Sequence, residues 1–375
     1  MSFLNKLKPN KPTATLEGYF ISMLAKSKFG KTTFALDLAE KFYGNLDSTL
    51  LLASEIGYKT MDGVYALNIT GFDYAEDDED ESQKGFIETV DELIENKADI
   101  PFRFIIIDTI TALERYAISY AISKANREDQ PKKRYTDISD IPWGKGYNLV
   151  AEVIYEQIDR LKKNGFGVFI IGHEKNQKVT NRDGFEYDYT TFNVLGKTSN
   201  IIEREADMII YGDLLVEEIK EGEGKSAKSK AVESRKLRFR SDGNILCGTR
   251  FRNFPAVIDN DVDVFIETFK NAVLGLYNGD EEALETAKKE QIKAAESKSA
   301  KKEESTKEGV DVGELIEAIG SEIEKLPKKS KVKVKLAEYF EERLGDKNYK
   351  NSEDAKALAK ALKFVKETIS EALAE

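Results

Sequence analysis

Apolar residues in the first half of the chain follow two rhythms. Short unbroken runs occur at YFISML (19–24), STLLLAS (48–54), VYALNIT (64–70), FRFIIIDT (102–109) and FGVFIIGHEK (166–175). Runs of this length rich in β-branched and aromatic residues predict strands buried on both faces. Between them, helical spacing predicts helices over about 31–42, 83–97, 111–125 and 146–163. In the first of these, Phe34, Leu38 and Ala39 share a face. Strands alternating with helices imply parallel strands joined by crossover helices, and so an α/β fold with a mostly parallel central sheet.

The rhythm then changes. Residues 176–200 read as a long loop or hairpin. Residues 206–212 and 232–257 read as strands that extend the sheet in antiparallel fashion. Residues 1–18 are a polar lead-in to a core over 19–277, and DYAEDDEDES (73–82) reads as a solvated acidic loop. Residues 278–310 are rich in Lys, Glu, Ala and Ser, and predict a charged linker, helical or disordered. Amphipathic spacing returns over 312–326, 331–344 and 352–373, three short helices forming a small C-terminal helical module at 311–375.

The 375-residue length allows two domains, or one large α/β domain with appendages. A formal net charge of −11 excludes a broadly basic surface, so any nucleic-acid contact has to be a local basic groove. The single cysteine, Cys247, allows no internal disulfide, which fits a reducing cytosol. No apolar run approaches the ~20 residues of a membrane span, and MSFLNKLKPNKP lacks the apolar segment of a signal peptide. These features predict a soluble cytoplasmic protein.

The candidate chemistry begins after the first strand. Ala25-Lys26-Ser27-Lys28-Phe29-Gly30-Lys31-Thr32, followed by Thr33, matches the phosphate-loop pattern G-x-x-x-x-G-K-[ST] except that alanine stands first. Such a loop needs a strand before it and a helix after it. It also needs inward N–H groups, a lysine for the terminal phosphates and a hydroxyl for Mg²⁺. The opening glycine mainly permits a tight turn, and alanine is its mildest replacement. ATP and Mg²⁺ are therefore the expected ligands.

Asp108, ending a β-branched run, is the candidate second metal ligand beside Thr32; its alternative role is to cap the next helix. Glu55, at the end of the second strand, is the candidate for polarising the attacking water; its alternative is an ordinary turn acid. His173, the only histidine, ends the strand over 166–175, where it is either a γ-phosphate sensor or a packed core residue.

FGKTT, SEIG, IIIDTITALE, WGKGY and IIGHEKN, followed by RKLRFRSDGNILCGTRFRNFP, together resemble the phage-encoded RecA-like core-only ATPases grouped with Sak-type single-strand annealing proteins. The likeness covers about residues 15–275. It implies a RecA-like P-loop NTPase core, ATP and Mg²⁺, single-stranded DNA as partner, and a homo-oligomeric ring or filament. It also implies residence in the host cytoplasm if the protein is phage-encoded. By this likeness Lys31 and Thr32 belong to the phosphate loop, Glu55 is the catalytic glutamate, Asp108 the second acidic motif and His173 the link from nucleotide to DNA. Ala25 and the C-terminal module depart from the pattern; the module is a possible site for a protein partner.

In a RecA-like assembly two loops face the DNA. The first candidate loop, 126–147, carries Lys132, Lys133, Arg134 and Lys145 with Tyr135 and Trp143; the second, 175–200, carries Lys175, Lys178, Arg182 and Lys197 with Phe185, Tyr187 and Tyr189. Basic and aromatic residues interleaved suit phosphate contact and base stacking, although acidic neighbours dilute both loops, and a solvated loop is the alternative. Arg250 and Arg252 are candidates to reach a neighbouring subunit's γ-phosphate, against the alternative of surface ion pairs. The resulting expectation is a DNA-stimulated ATPase of recombination or annealing. The competing functions are a non-hydrolysing nucleotide-gated loader or scaffold for replication proteins and, ranked last, a small-molecule kinase.

Overall fold

The computed structural model describes residues 11–74, 83–221, 228–289, 312–327, 330, 332–344, 346–352 and scattered positions between 357 and 369. The start of the polar lead-in, most of the acidic loop, residues 290–311 of the charged stretch and much of the third C-terminal helix lie outside the described residues. The chain divides into two compact units, residues 1–291 and 292–375.

The first unit is built on one sheet. Strands β1 (Phe20–Ala25), β2 (Thr49–Ala53), β3 (Ala66–Gly71), β4 (Gln83–Gly85), β5 (Phe104–Asp108), β6 (Gly167–Thr180), β8 (Met208–Glu221), β9 (Lys228–Arg238) and β11 (Val257–Asp259) run in the order β11-β9-β8-β1-β6-β5-β2-β3-β4. Two further strands stand beside this path, β7 (Glu186–Phe192) paired with β6 and β10 (Gly248–Thr249) paired with β8. From β8 to β4 every neighbouring pair is parallel. One strand, β6, thus separates the strand that enters the glycine loop from the strand that ends in Asp108.

Helices cover both faces, which explains why the central strands read as unbroken apolar runs. Alternate residues of each strand supply each face. Phe104, Ile106, Phe169, Ile171, Met208 and Leu237 pack against α1 (Lys31–Tyr43) and α6 (Val262–Leu274), meeting Phe34, Leu38, Phe265 and Phe269. Ile105, Ile107, Val168 and Ile170 face the other way. They pack on α2 (Phe86–Glu95), α3 (Ile110–Asp129), α4 (Lys145–Lys163) and α5 (Gly196–Glu205) through Val90, Leu113, Ile154 and Ile202. Each such side chain stabilises the fold by about 1.5–3 kcal/mol through burial.

The structure departs from the sequence pattern at four places. Residues 83–85 form β4 ahead of α2, rather than the start of the helix. Residues 196–200, expected as the end of the loop or hairpin, instead open α5 (Gly196–Glu205). Its opening Gly-Lys-Thr-Ser-Asn has low helix propensity, but the buried Glu114 carboxylate accepts a hydrogen bond from Leu195 N through both oxygens (3.0 and 2.9 Å) at the helix entrance. That helix carries the chain back across the sheet, so β8 runs parallel to β1; the antiparallel extension begins only at β9. Residues 262–274, for which no helix was expected, form α6, capped by Asp261 through Asp263 N and Val264 N.

In the second unit, helices Val312–Glu324 and Val332–Leu344 share an apolar cluster that includes Leu315, Ile319, Leu336, Phe340, Leu358 and Val365. Among the described residues no helix is long and apolar enough to cross a membrane.

Close packing above β6 depends on Gly172. A Cβ there would lie 2.4 Å from the ring of the fully buried Phe192. Gly172→Ala is expected to destabilise the first unit by about 1–3 kcal/mol through overpacking, read as a lower urea midpoint with an unchanged slope.

Candidate nucleotide-binding site

The same two-residue alternation that builds the core builds the site. Along the face covered by α1, strand positions continue to Ala25 on β1, Asp108 on β5, His173 on β6 and, two residues past Ala53, Glu55. All four stand at the carboxyl ends of parallel strands, around the loop that leads into α1.

That loop turns through Lys28 (φ 67°) and Gly30 (φ 100°), both left-handed. At Gly30 the conformation favours glycine. Ala25 is fully buried at the end of β1. Its methyl group has room because the facing residue on β8 is Gly212, where a Cβ would come within 2.8 Å of Ala25 Cβ and 2.7 Å of the Phe29 ring. A glycine on the neighbouring strand therefore accommodates the alanine that stands where the loop pattern asks for glycine. Phe29, itself buried, is seated over the same gap.

Lys31 is 6% exposed. Its Nζ donates to the carbonyls of Ala25 and Lys26, both at 3.0 Å, inside the loop's own curve. Burial pushes its pKa down, against the pull of Asp108, Glu174 and Glu55. Thr32 Oγ1 donates to Asp108 Oδ2 at 2.6 Å. Burial raises the Asp108 pKa, while the Thr32 hydrogen bond opposes that shift. The cap of α3 is Thr109, whose side chain accepts from Ala112 N, so Asp108 is free of the capping role.

A chain of polar contacts crosses the site. Thr109 Oγ1 donates to Glu55 Oε1 (3.1 Å), Glu55 Oε2 meets His173 Nε2 (3.3 Å), and His173 Nδ1 meets Ser27 Oγ (3.4 Å). His173 is thus neither core-packed nor alone. It lies between the loop and Glu55.

Residues 17–251 match the AAA domain family, AAA_24. The chain belongs to this family. No curated protein matches it. For an AAA-type P-loop NTPase the arrangement is chemically coherent. Lys31 lies within the curve of the loop, and Thr32 with Asp108 brings a hydroxyl and a carboxylate together at its end, donors of the kind a hard cation takes. Among the described residues no group of three His, Cys, Asp or Glu could hold a metal. Mg²⁺ needs no such group, because it is usually held by one or two protein oxygens, phosphates and water.

The remaining candidates fall elsewhere. Lys26, Ser27, Lys28 and Thr33 are exposed on the loop and the first turn of α1. Lys145 and Lys197 open α4 and α5, and Lys197 lines a groove of about 460 Å³ with Trp143, Gly144, Tyr147, Asn148, Gly196 and Asn200. Because α4 and α5 lead down into β6 and β8, their first residues lie on the side of the sheet that holds the carboxyl ends. Lys132, Lys133 and Arg134 do not join them. Tyr135 is tied to Asn126 by two hydrogen bonds (2.8 and 2.9 Å), in the last turn of α3 and about 24 Å along its axis from Ile110. Lys178 and Arg182 are exposed on the β6–β7 hairpin, and Lys175 donates to Val194 O.

Arg250 and Arg252 are not brought to this chain's loop. Arg250 binds Asp207 Oδ1 (3.1 Å) and Arg204 O (2.7 Å), and Asp207 also accepts from Phe20 N at the start of β1. That is the opposite sheet edge, about 17 Å from Ala25. Arg252 is exposed and offers its carbonyl to Arg240. The arginine that does reach the loop is Arg235 of β9, whose Nη1 donates to Phe29 O at 2.9 Å. In sequence Arg235 is only the first residue of a basic strand-rich stretch, and the pairing of β9 with β8 is what brings it beside the loop.

Asp108 gives a pH-dependent prediction. Its folded-state pKa lies above the ordinary 3.8, so the folded form holds the proton more tightly and stability falls as pH rises past that value. Asp108→Asn is expected to raise the melting temperature of the nucleotide-free protein at neutral pH by about 2–4 °C for each kcal/mol relieved. The gain should vanish well below pH 3.8, and scanning calorimetry across pH reads both.

Proposed function

We propose that the protein is an ATP-hydrolysing, Mg²⁺-dependent, single-stranded-DNA-binding protein of the phage recombination or annealing kind, working as a homo-oligomer. The observation that carries the hydrolysis half is the placement of Glu55. Its carboxylate stands between the Thr109 hydroxyl and His173, on the same face as Thr32 and Asp108. Lys31, withdrawn from the loop carbonyls, holds the terminal phosphates. Thr32 and Asp108 would hold Mg²⁺, which would supply neutralisation of phosphate charge. Glu55 orients a water and takes its proton. His173, which touches both Glu55 and Ser27, follows changes at the terminal phosphate into β6 and its hairpin.

The DNA half is supported by the sequence resemblance and by the groove. Trp143 is 94% exposed, and its backbone (φ 62°) stands in the left-handed region beside Gly144. An indole held in water beside Tyr147 and Lys197, with Lys145 exposed next to it, suits base stacking with phosphate contact.

The test is steady-state ATP hydrolysis with and without single-stranded DNA. Turnover should be stimulated by DNA, abolished by Lys31→Ala and reduced about 10²–10⁴-fold by Glu55→Gln. Trp143→Ala should leave turnover without DNA intact while weakening DNA binding by about 1–3 kcal/mol. Turnover indifferent to Glu55→Gln would overturn the hydrolytic reading. DNA binding indifferent to Trp143→Ala would remove the groove from the DNA path.

A further inference from the structure

We infer that Arg235 is a phosphate ligand of the nucleotide, supplied in cis by the strand beyond β8, and that its contact with Phe29 is the resting position from which it engages. The inference rests on the nucleotide reading above. On β9, Leu237 is buried under α1 and α6, so Arg235, two residues away, projects from the same face at the carboxyl side of β8. The loop therefore has Asp108, Glu55 and His173 on one flank and Arg235 on the other.

The guanidinium bears directly on the loop. Besides the bond to Phe29 O, it lies 5.9 Å from the Phe29 ring centroid, and Nη1 stands 3.8 Å from where a Cβ on Gly30 would be. Gly30 is the cap of α1, which has no side-chain cap and no acidic residue in its first turn. A helix N-terminus carries partial positive charge and favours anions. Here the Arg235 guanidinium stands beside it, Lys31 is its first residue, and Lys26 and Lys28 are exposed on the loop that leads into it.

The carboxylate bonded to Arg235 is Glu233, at 3.4 Å, and both side chains are about half exposed, 45% and 51%. A pair of that kind is worth little. Two fixed cations beside an uncapped helix N-terminus make sense when a polyanion completes the site. A guanidinium also offers paired donors matched to phosphate oxygens, which one carbonyl uses in part.

The test is equilibrium binding of a fluorescent ATP analogue with Mg²⁺ to the full chain, over a range of ionic strength, for the parent, Arg235→Gln, Arg235→Lys and Lys31→Ala. Removing a charged hydrogen-bond donor from phosphate should weaken binding by about ten- to hundredfold in Arg235→Gln. Arg235→Lys should fall between it and the parent. The parent's affinity should drop more steeply with salt than that of Arg235→Gln, because the lost interaction is between charges.

Unchanged affinity in Arg235→Gln overturns the inference. Weakened affinity with the parent's salt dependence intact also overturns it, since Arg235 would then only position the loop. A parent that binds no more tightly than Lys31→Ala removes the nucleotide reading itself, and this inference with it.

Discussion

The site depends on a buried cation whose hydrogen bonds go to backbone carbonyls, with the carboxylates of Asp108, Glu174 and Glu55 acting on it from further off. Lys31 is enclosed at the entrance of α1, with its ammonium on two carbonyls of its own loop. Burying an ammonium is costly unless it is paired, and here the carbonyls of Ala25 and Lys26 share the charge. The loop is thereby wrapped around its lysine. Incoming phosphates would replace the carbonyls with anionic oxygens, so the strained, cation-rich loop gains from the ligand what the chain alone does not provide. The loop keeps this shape because Phe29 and the Ala25 methyl fit over Gly212.

Around that loop the sheet works as a positioning device. Parallel strands bring their carboxyl ends to one edge, and the period of two assigns Asp108, Glu55 and His173 to the face where α1 begins. Because β6 stands between β1 and β5, His173 falls next to the loop and within reach of Glu55. Stability is lowered locally in return. Asp108 is buried beside a hydroxyl and near another carboxylate, and its charged form is disfavoured.

Much of this was legible in the sequence because continuous apolar runs and crossover helices are strong local signals. The α/β class, strands β1, β2, β3, β5 and β6, and the glycine loop follow from them. What was not legible came from contacts distant in sequence. Helix α5 depends on Glu114, some eighty positions earlier, and without it β8 could not be seen to return parallel to β1. Gly212 and Arg235 look unremarkable in sequence, and only the pairing of β8 with β1 and β9 shows why they matter. The loop over 126–147 reads as one basic and aromatic segment, yet the fold divides it. Tyr135 is tied to the far end of α3, while Trp143 and Lys145 stand at the start of α4.

The most direct test of the central claim is calorimetric titration of the full chain with ATP, with Mg²⁺ present and after its removal. A site built from Lys31, Thr32 and Asp108 predicts one nucleotide bound per chain, with affinity that falls when Mg²⁺ is withdrawn. Absence of binding, or binding indifferent to Mg²⁺, would contradict it.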